Sequence, residues 1–188
     1  GRLFYTFPIG EDLTVTAGPV VRTDDAGMYA GYASFYPADL LVDFFTYGGA
    51  WGTNNLGNPN GTGAGAVYTI GDSGFSVSGN YVAYSADDST KGILTDESAA
   101  TSTYQLFYSG ELFDGSFLAS AGYGVTRGVS FTSGTVTGDS GNTTNWSLAG
   151  AWKPADSGLM PSISTGFSKT EDSDDAGDWS AWYLGLEW

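Results

Sequence analysis

Along most of this chain, apolar residues alternate one for one with small or polar ones. That is the period of a strand whose two faces meet unlike surroundings. In residues 75–83, Phe75, Val77, Gly79, Tyr81 and Ala83 alternate with Ser76, Ser78 and Asn80. In residues 117–125, Phe117, Ala119, Ala121, Tyr123 and Val125 oppose Ser120, Gly122 and Gly124. Trp146, Leu148, Gly150 and Trp152 oppose Asn145, Ser147 and Lys153, and Trp182, Leu184, Leu186 and Trp188 oppose Tyr183, Gly185 and Glu187. The pattern predicts strands over 3–7, 12–21, 62–70, 75–86, 101–112, 116–127, 143–153, 160–170 and 179–188.

The connections alternate too. Those at 8–11, 71–74, 113–115 and 154–158 are tight and rich in Gly, Asp and Pro. Those at 22–61, 87–100, 128–142 and 171–178 are long and polar. Short turns at one end and long loops at the other are the mark of an all-β, transmembrane, antiparallel up-and-down barrel with periplasmic turns and extracellular loops. Aromatics gather near both ends of the apolar face, as expected where that face meets lipid and its interfaces. Phe75, Phe117, Trp152 and Trp188 fall toward the turns, and Tyr81, Tyr104, Tyr123, Trp146, Phe167 and Trp182 toward the loops. A soluble sandwich with aromatic cross-strand pairs is the alternative architecture. Nine strands is an odd count, whereas bacterial single-chain barrels have an even one, so at least one further strand is expected ahead of Gly1.

The interval 22–61 breaks the period. Loops of this length in a compact fold usually carry function. Within it, residues 38–47 follow Pro37, stop at Gly48-Gly49, and carry Leu40, Leu41, Phe44 and Phe45 on one face of a helical turn pair, with Asp39 and Asp43 on another. Folded into a barrel, the apolar set would pack on the inner wall and leave Asp39 and Asp43 facing water. Alternation from Thr14, Thr16 and Gly18 puts Arg22 on the same inner wall, so these three charges are the expected pore constriction. The competing placement leaves both aspartates as surface charges on an external helix.

Composition narrows the chemistry. The 188 residues include 29 Gly, 11 Phe, 12 Tyr and 6 Trp, no Cys and no His, with a net charge of -15. Without Cys or His, thiolate and histidine metal sites and Ser-His-Asp or Cys-His catalysis are excluded. The acid pairs Asp24-Asp25, Asp87-Asp88 and Asp96-Glu97 read as solvated loop charges rather than a glycosidase dyad, which needs a fixed separation in a cleft. No enzyme activity, cofactor or resident metal is expected, though the acidic stretch 171–178 could hold divalent cations weakly. So acidic a chain does not suit nucleic acid. No run approaches the ~20 apolar residues of a spanning helix.

Five stretches carry a resemblance: DLTVTAGPVVRTDDAGM (12–28), LVDFFTYGGAWGTNNLG (41–57), GDSGFSVSGNYVA (71–83), PADSGLMPSISTG (154–166) and SAWYLGLEW (180–188). In this order the chain resembles cyanobacterial outer-membrane porins, the major envelope porins related to the carbohydrate-selective porin family. The resemblance implies a barrel of about sixteen strands, usually trimeric, surrounded by outer-membrane lipid, passing ions and small hydrophilic solutes. It also implies a wall-binding N-terminal domain and further strands, so these residues read as part of a longer chain. The alternative function is an envelope scaffold or docking barrel with little transport. Small inward residues such as Ser76, Ser78, Ser120, Gly122, Gly124, Ser147 and Ser164 favour an open bore.

Overall fold

The computed structural model describes residues 1–35, 60–84, 86–95, 97–132, 135–138, 142–156, 158–172 and 178–187. It contains β1 (Leu3–Ile9), β2 (Leu13–Val21), β3 (Gly61–Thr69), β4 (Phe75–Ala83), β5 (Ala100–Leu112) and β6 (Gly115–Arg127). There follow β7 (Val129–Thr132), β8 (Thr135–Gly138), β9 (Thr143–Pro154), β10 (Ser162–Asp172) and β11 (Trp179–Glu187). Nine strands form one antiparallel up-and-down sheet in the order β1-β2-β3-β4-β5-β6-β9-β10-β11. The only helix among the described residues is a 3-10 turn, Gly71–Ser73, and none is long and apolar enough to cross a membrane. The sheet order ends on β1 and β11, each paired with one neighbour.

Tight connections lie at one end of the sheet. Between β5 and β6 the turn is Phe113-Asp114, both with positive φ (49° and 54°), and Leu112 pairs with Gly115. That is a two-residue hairpin of the primed type, whose twist matches its strands. At the opposite end, β7 and β8 form a separate hairpin inside the β6–β9 connection, with Thr132 paired to Thr135. The long polar loop expected at 128–142 thus contains two short strands, VSFT and TVTG, whose alternation carries a hairpin signal.

Register joins one residue of every strand into rows. Ile9, Leu13, Tyr68, Val77, Leu106, Ala121, Leu148, Phe167 and Trp182 form one row. On the other face, Thr6, Thr16, Gly65, Asn80, Thr103, Gly124, Asn145, Thr170 and Trp179 form another. The sheet therefore has one mainly apolar and one mainly polar face, and its burial is inverted. Thr16, Asn80, Thr103, Asn145 and Thr170 are buried, while Leu106, Leu148, Phe167 and Trp182 are exposed, Trp182 by 76%. Cross-strand hydrogen bonds satisfy several of the buried hydroxyls and amides, as buried polar groups require. Thr6 and Thr16 hydroxyls lie 2.8 Å apart, Thr101 and Thr126 3.0 Å, and Asn145 Nδ2 donates to Thr170 Oγ1 at 2.6 Å.

Strict alternation fails once, near the loop end of β2. Gly18 pairs with Gly63, but Val21 pairs with Gly61, so two residues of β2 oppose Thr62 alone, a β-bulge. The extra residue reverses parity: Val21 takes a fully buried place beside Met28 and Val82. A Cβ on Gly18 would sit inside contact with the Leu3 carbonyl and Phe4 Cα of β1. Gly18→Val should therefore push β1 off β2 and cost about 1–3 kcal/mol, the range for overpacking. Thermal unfolding followed by circular dichroism measures it; an unchanged midpoint would show that β1 adds nothing there.

Candidate functional site: the polar face and the segment across it

Residues 22–35 leave β2 and run over the polar face. Their turns are closed by Asp25 N donating to Arg22 O (3.2 Å) and Met28 N to Asp25 O (3.0 Å). At β1 and β2, the hydroxyls of Thr6 and Thr16 donate to the Ala26 carbonyl at 3.4 and 2.7 Å. At β3, Met28 lies over Gly65, where a Cβ would come within 2.9 Å of its sulfur. On β4, Asn80 Nδ2 donates to the Met28 and Thr23 carbonyls at 2.8 and 3.3 Å, and Ala30 N donates to Ser78 Oγ at 3.0 Å. On β5, Gln105 Oε1 accepts from Ala30 N (3.0 Å) and Gly31 N (3.2 Å), while its Nε2 donates to Gly31 O at 2.6 Å. Finally Phe35 lines a cavity of about 160 Å³ with Ser162 and Ser164 of β10 and Gly185 of β11. One short segment thus meets the polar face at five of the nine strands and ends at Phe35 beside a cavity that β10 and β11 also line.

Glycine lets it lie flush. Gly27 has a φ of +75°, and any side chain there would strike the Thr16 hydroxyl. A Cβ on Gly31 would lie 2.9 Å from the Phe107 ring. Tyr29 and Tyr32 pack ring to ring at 4.3 Å. Burial raises the Tyr29 phenol above its ordinary pKa, a shift that its hydrogen bond to Tyr32 opposes.

The first acid pair is not solvated. Asp25 is 4% exposed. It accepts from the Arg2 guanidinium and from Arg22 N (2.8 Å), which ties the start of the crossing segment to β1 and β2. Arg22 Nη2 meets Asp24 at 3.2 Å. Arg22 follows the bulge, so the alternation that pointed to it does not carry through to its position, and its charge is balanced within its own loop. Asp39, Asp43, Leu40, Leu41, Phe44 and Phe45 lie outside the described residues, as does Trp188.

The remaining aromatics sit on the apolar face in two belts. Toward the turns, Phe75 pairs with Tyr108, with rings 4.7 Å apart, and Phe117 pairs with Trp152 one row nearer the turns. Trp152 also donates its indole N–H to Leu112 O at 2.8 Å. Toward the loops, Tyr104, Tyr123 and Trp146 share a row. Tyr81 lies one row above it, and Phe167 with Trp182 one row below. Tyr81 is partly covered, because the β4–β5 connection folds back over the apolar face and Tyr81 Oη meets Ser98 Oγ at 3.0 Å.

Four of the six basic residues sit against loop-end acids: Arg2 with Asp25, Arg22 with Asp24, Lys91 with Asp88 (3.9 Å), and Lys169 with Glu171 and Asp178. The Thr90 hydroxyl and then its amide hold the Asp88 carboxyl below its ordinary pKa, so this exposed charge persists in mild acid. Among the described residues no group of three or more acids could hold a metal ion; residues 173–177 of the acidic stretch lie outside them.

No protein-family model, curated protein or solved structure matches this chain.

What the arrangement can do follows from its two faces. The apolar face offers hydrocarbon a continuous surface. The polar face carries hydroxyls and amides that are largely covered, with a backbone-lined rib over part of it, and no nucleophile–base pair among the groups described. The rib was legible only as a long loop, because its anchors, Asn80 and Gln105, look in sequence like ordinary strand polar residues.

Proposed function

We propose that this sheet is part of the wall of an outer-membrane β-barrel that passes ions and small hydrophilic solutes by diffusion. The observation that carries the reading is the inverted burial: hydroxyls and amides are covered while Leu, Phe and Trp line the bare face. In water, that exposed surface would be costly; against lipid it is the required one.

The belts add support. From β4 to β11 the loop-side aromatics step down two rows, about 14 Å, across five strand spacings, about 24 Å. A level membrane interface crossing the strands that way corresponds to a strand tilt of roughly 30°, near that of membrane barrels. Along β6, Phe117 and Tyr123 are separated by about 20 Å, which fits a thin bilayer. The crossing segment supports a curved wall. Nine strands, β1 to β11, stand eight spacings apart end to end, ~38 Å if flat, while Ala26 to Phe35 reaches at most ~32 Å fully extended. This stretch is partly turn, so it takes a chord across a concave polar face.

The finer features are part of the same proposal. A count of about sixteen strands, a trimer, and a cyanobacterial outer membrane rest on the motif resemblance. The constriction assigned to Asp39 and Asp43 rests on the amphipathic pattern of 38–47. An envelope scaffold with a closed lumen remains the second reading, and one measurement separates the two. Reconstituted in planar bilayers, the protein should give discrete ohmic steps with a weak cation preference. That preference should fade as salt shortens the Debye length, ~8–10 Å near physiological strength, because acids outnumber bases at the loop end. The absence of steps would favour the scaffold, and a chloride preference in dilute salt would refute the acidic mouth.

A further inference from the structure

We infer that Asn80 and Gln105 are positioning residues that fix residues 22–35 to the wall, making this segment a permanent rib across the bore rather than a moving gate. The inference rests on the channel reading above.

Both amides are buried on the polar face, on adjacent strands, at rows one step apart. Neither reads a side chain. Asn80 donates to two carbonyls of the segment, Thr23 and Met28. Gln105 accepts from the amides of Ala30 and Gly31 and donates to the Gly31 carbonyl, so it meets both polar groups of Gly31 as a neighbouring strand would. A primary amide is the neutral side chain that supplies donor and acceptor together. The two amides supply part of what a strand partner would otherwise give the segment. Glycine at 31 brings the backbone against Phe107, which keeps Gln105 within reach. Solutes passing along the polar face must pass this rib, so the hold on it sets how steady the opening is.

The test uses the full chain in detergent and in planar bilayers, with Gln105→Leu, Gln105→Glu and the control Thr126→Val. Thr126 makes a buried bond to Thr101 within the wall and is not bonded to the segment. Amide exchange at Ala30 and Gly31 reads the hold, and open-channel current noise reads its effect on the bore. Gln105→Leu should speed exchange at Gly31 about tenfold or more, and at Ala30 by less because its amide keeps the Ser78 hydroxyl as acceptor. It should also make the open-channel current flicker. Gln105→Glu keeps an acceptor for both amides but loses the donor to Gly31 O, so exchange and current noise should fall between the parent and Gln105→Leu. Thr126→Val should leave both readings at the parent level.

Unchanged exchange in Gln105→Leu would overturn the proposal, as would faster exchange with a parent-like current. Equal effects from Thr126→Val would overturn it by showing general loosening of the wall. A parent protein that passes no current refutes the channel reading itself, and exchange alone still decides whether Gln105 holds the segment.

Discussion

Replacing Leu148 with arginine should destabilise the protein in a bilayer by about 2–4 kcal/mol, while Leu186→Arg should cost about 0–1 kcal/mol. Leu148 is exposed and lies on β9 between Trp146 of the loop-side belt and Trp152 of the turn-side belt, flanked by Ala121 and Phe167. Leu186 shares the row of Ile163 and Trp152 at the turn-side belt. A charge at mid-depth must leave water for hydrocarbon, whereas one at the belt reaches the interface. Denaturant titration of lipid-reconstituted protein gives both values. The same pair of substitutions also decides against the sandwich. On a water-exposed sheet face each change would fall within about 0.5 kcal/mol, and equal tolerance at both sites would end the membrane reading.

What could be read from the sequence was what depends on local periodicity. Nine strands and the contrast of tight and long connections follow from one rule, that a strand between unlike media alternates. Residues such as Leu148 and Ser147 obey it without knowing their neighbours. Three features escaped because they depend on something nonlocal or on a single extra residue. The bulge between Gly18 and Val21 reverses parity and strands any extrapolation to Arg22. Asp24 and Asp25 look solvated in a string of polar loop residues, yet Arg2, far off in sequence, meets Asp25 across β1 and β2. Asn80 and Gln105 became visible as anchors only once β4 and β5 lay beneath the segment. The β7–β8 hairpin is different: VSFT and TVTG alternate as strands do, but the Gly, Ser and Thr around them read as loop composition.

The rib and the sheet also explain each other. A polar face buried against nothing would leave Asn80, Gln105 and Thr16 to find water. With the segment in place, they bond to backbone instead, and the segment gains partners it could not make alone. Local order in the loop and polar burial in the wall are one set of hydrogen bonds counted from two sides.

Deleting residues 38–47 should raise single-channel conductance without detaching the rib. The described chain reaches Phe35 beside β10 and β11 and resumes at Asn60 ahead of β3. After the deletion, ~14 residues remain between those points, and at ~3.3 Å each they cover ~46 Å, enough to cross a bore whose wall is built from strands ~4.8 Å apart. What the deletion removes is the amphipathic stretch itself. If Leu40, Leu41, Phe44 and Phe45 pack on the wall, each contributes on the order of 1.5–3 kcal/mol of burial before ordering costs, which is enough to hold the stretch inside. Its loss then widens the narrowest section. Replacing Asp39 and Asp43 together by Asn keeps the bulk and removes the charge, so conductance should change little while cation preference weakens. The pair of results separates width from field, the two determinants of passage through such a pore. Conductance at the parent value after the deletion would place 38–47 outside the bore, and an unchanged reversal potential in the double Asn variant would assign the field to the loop-end acids alone.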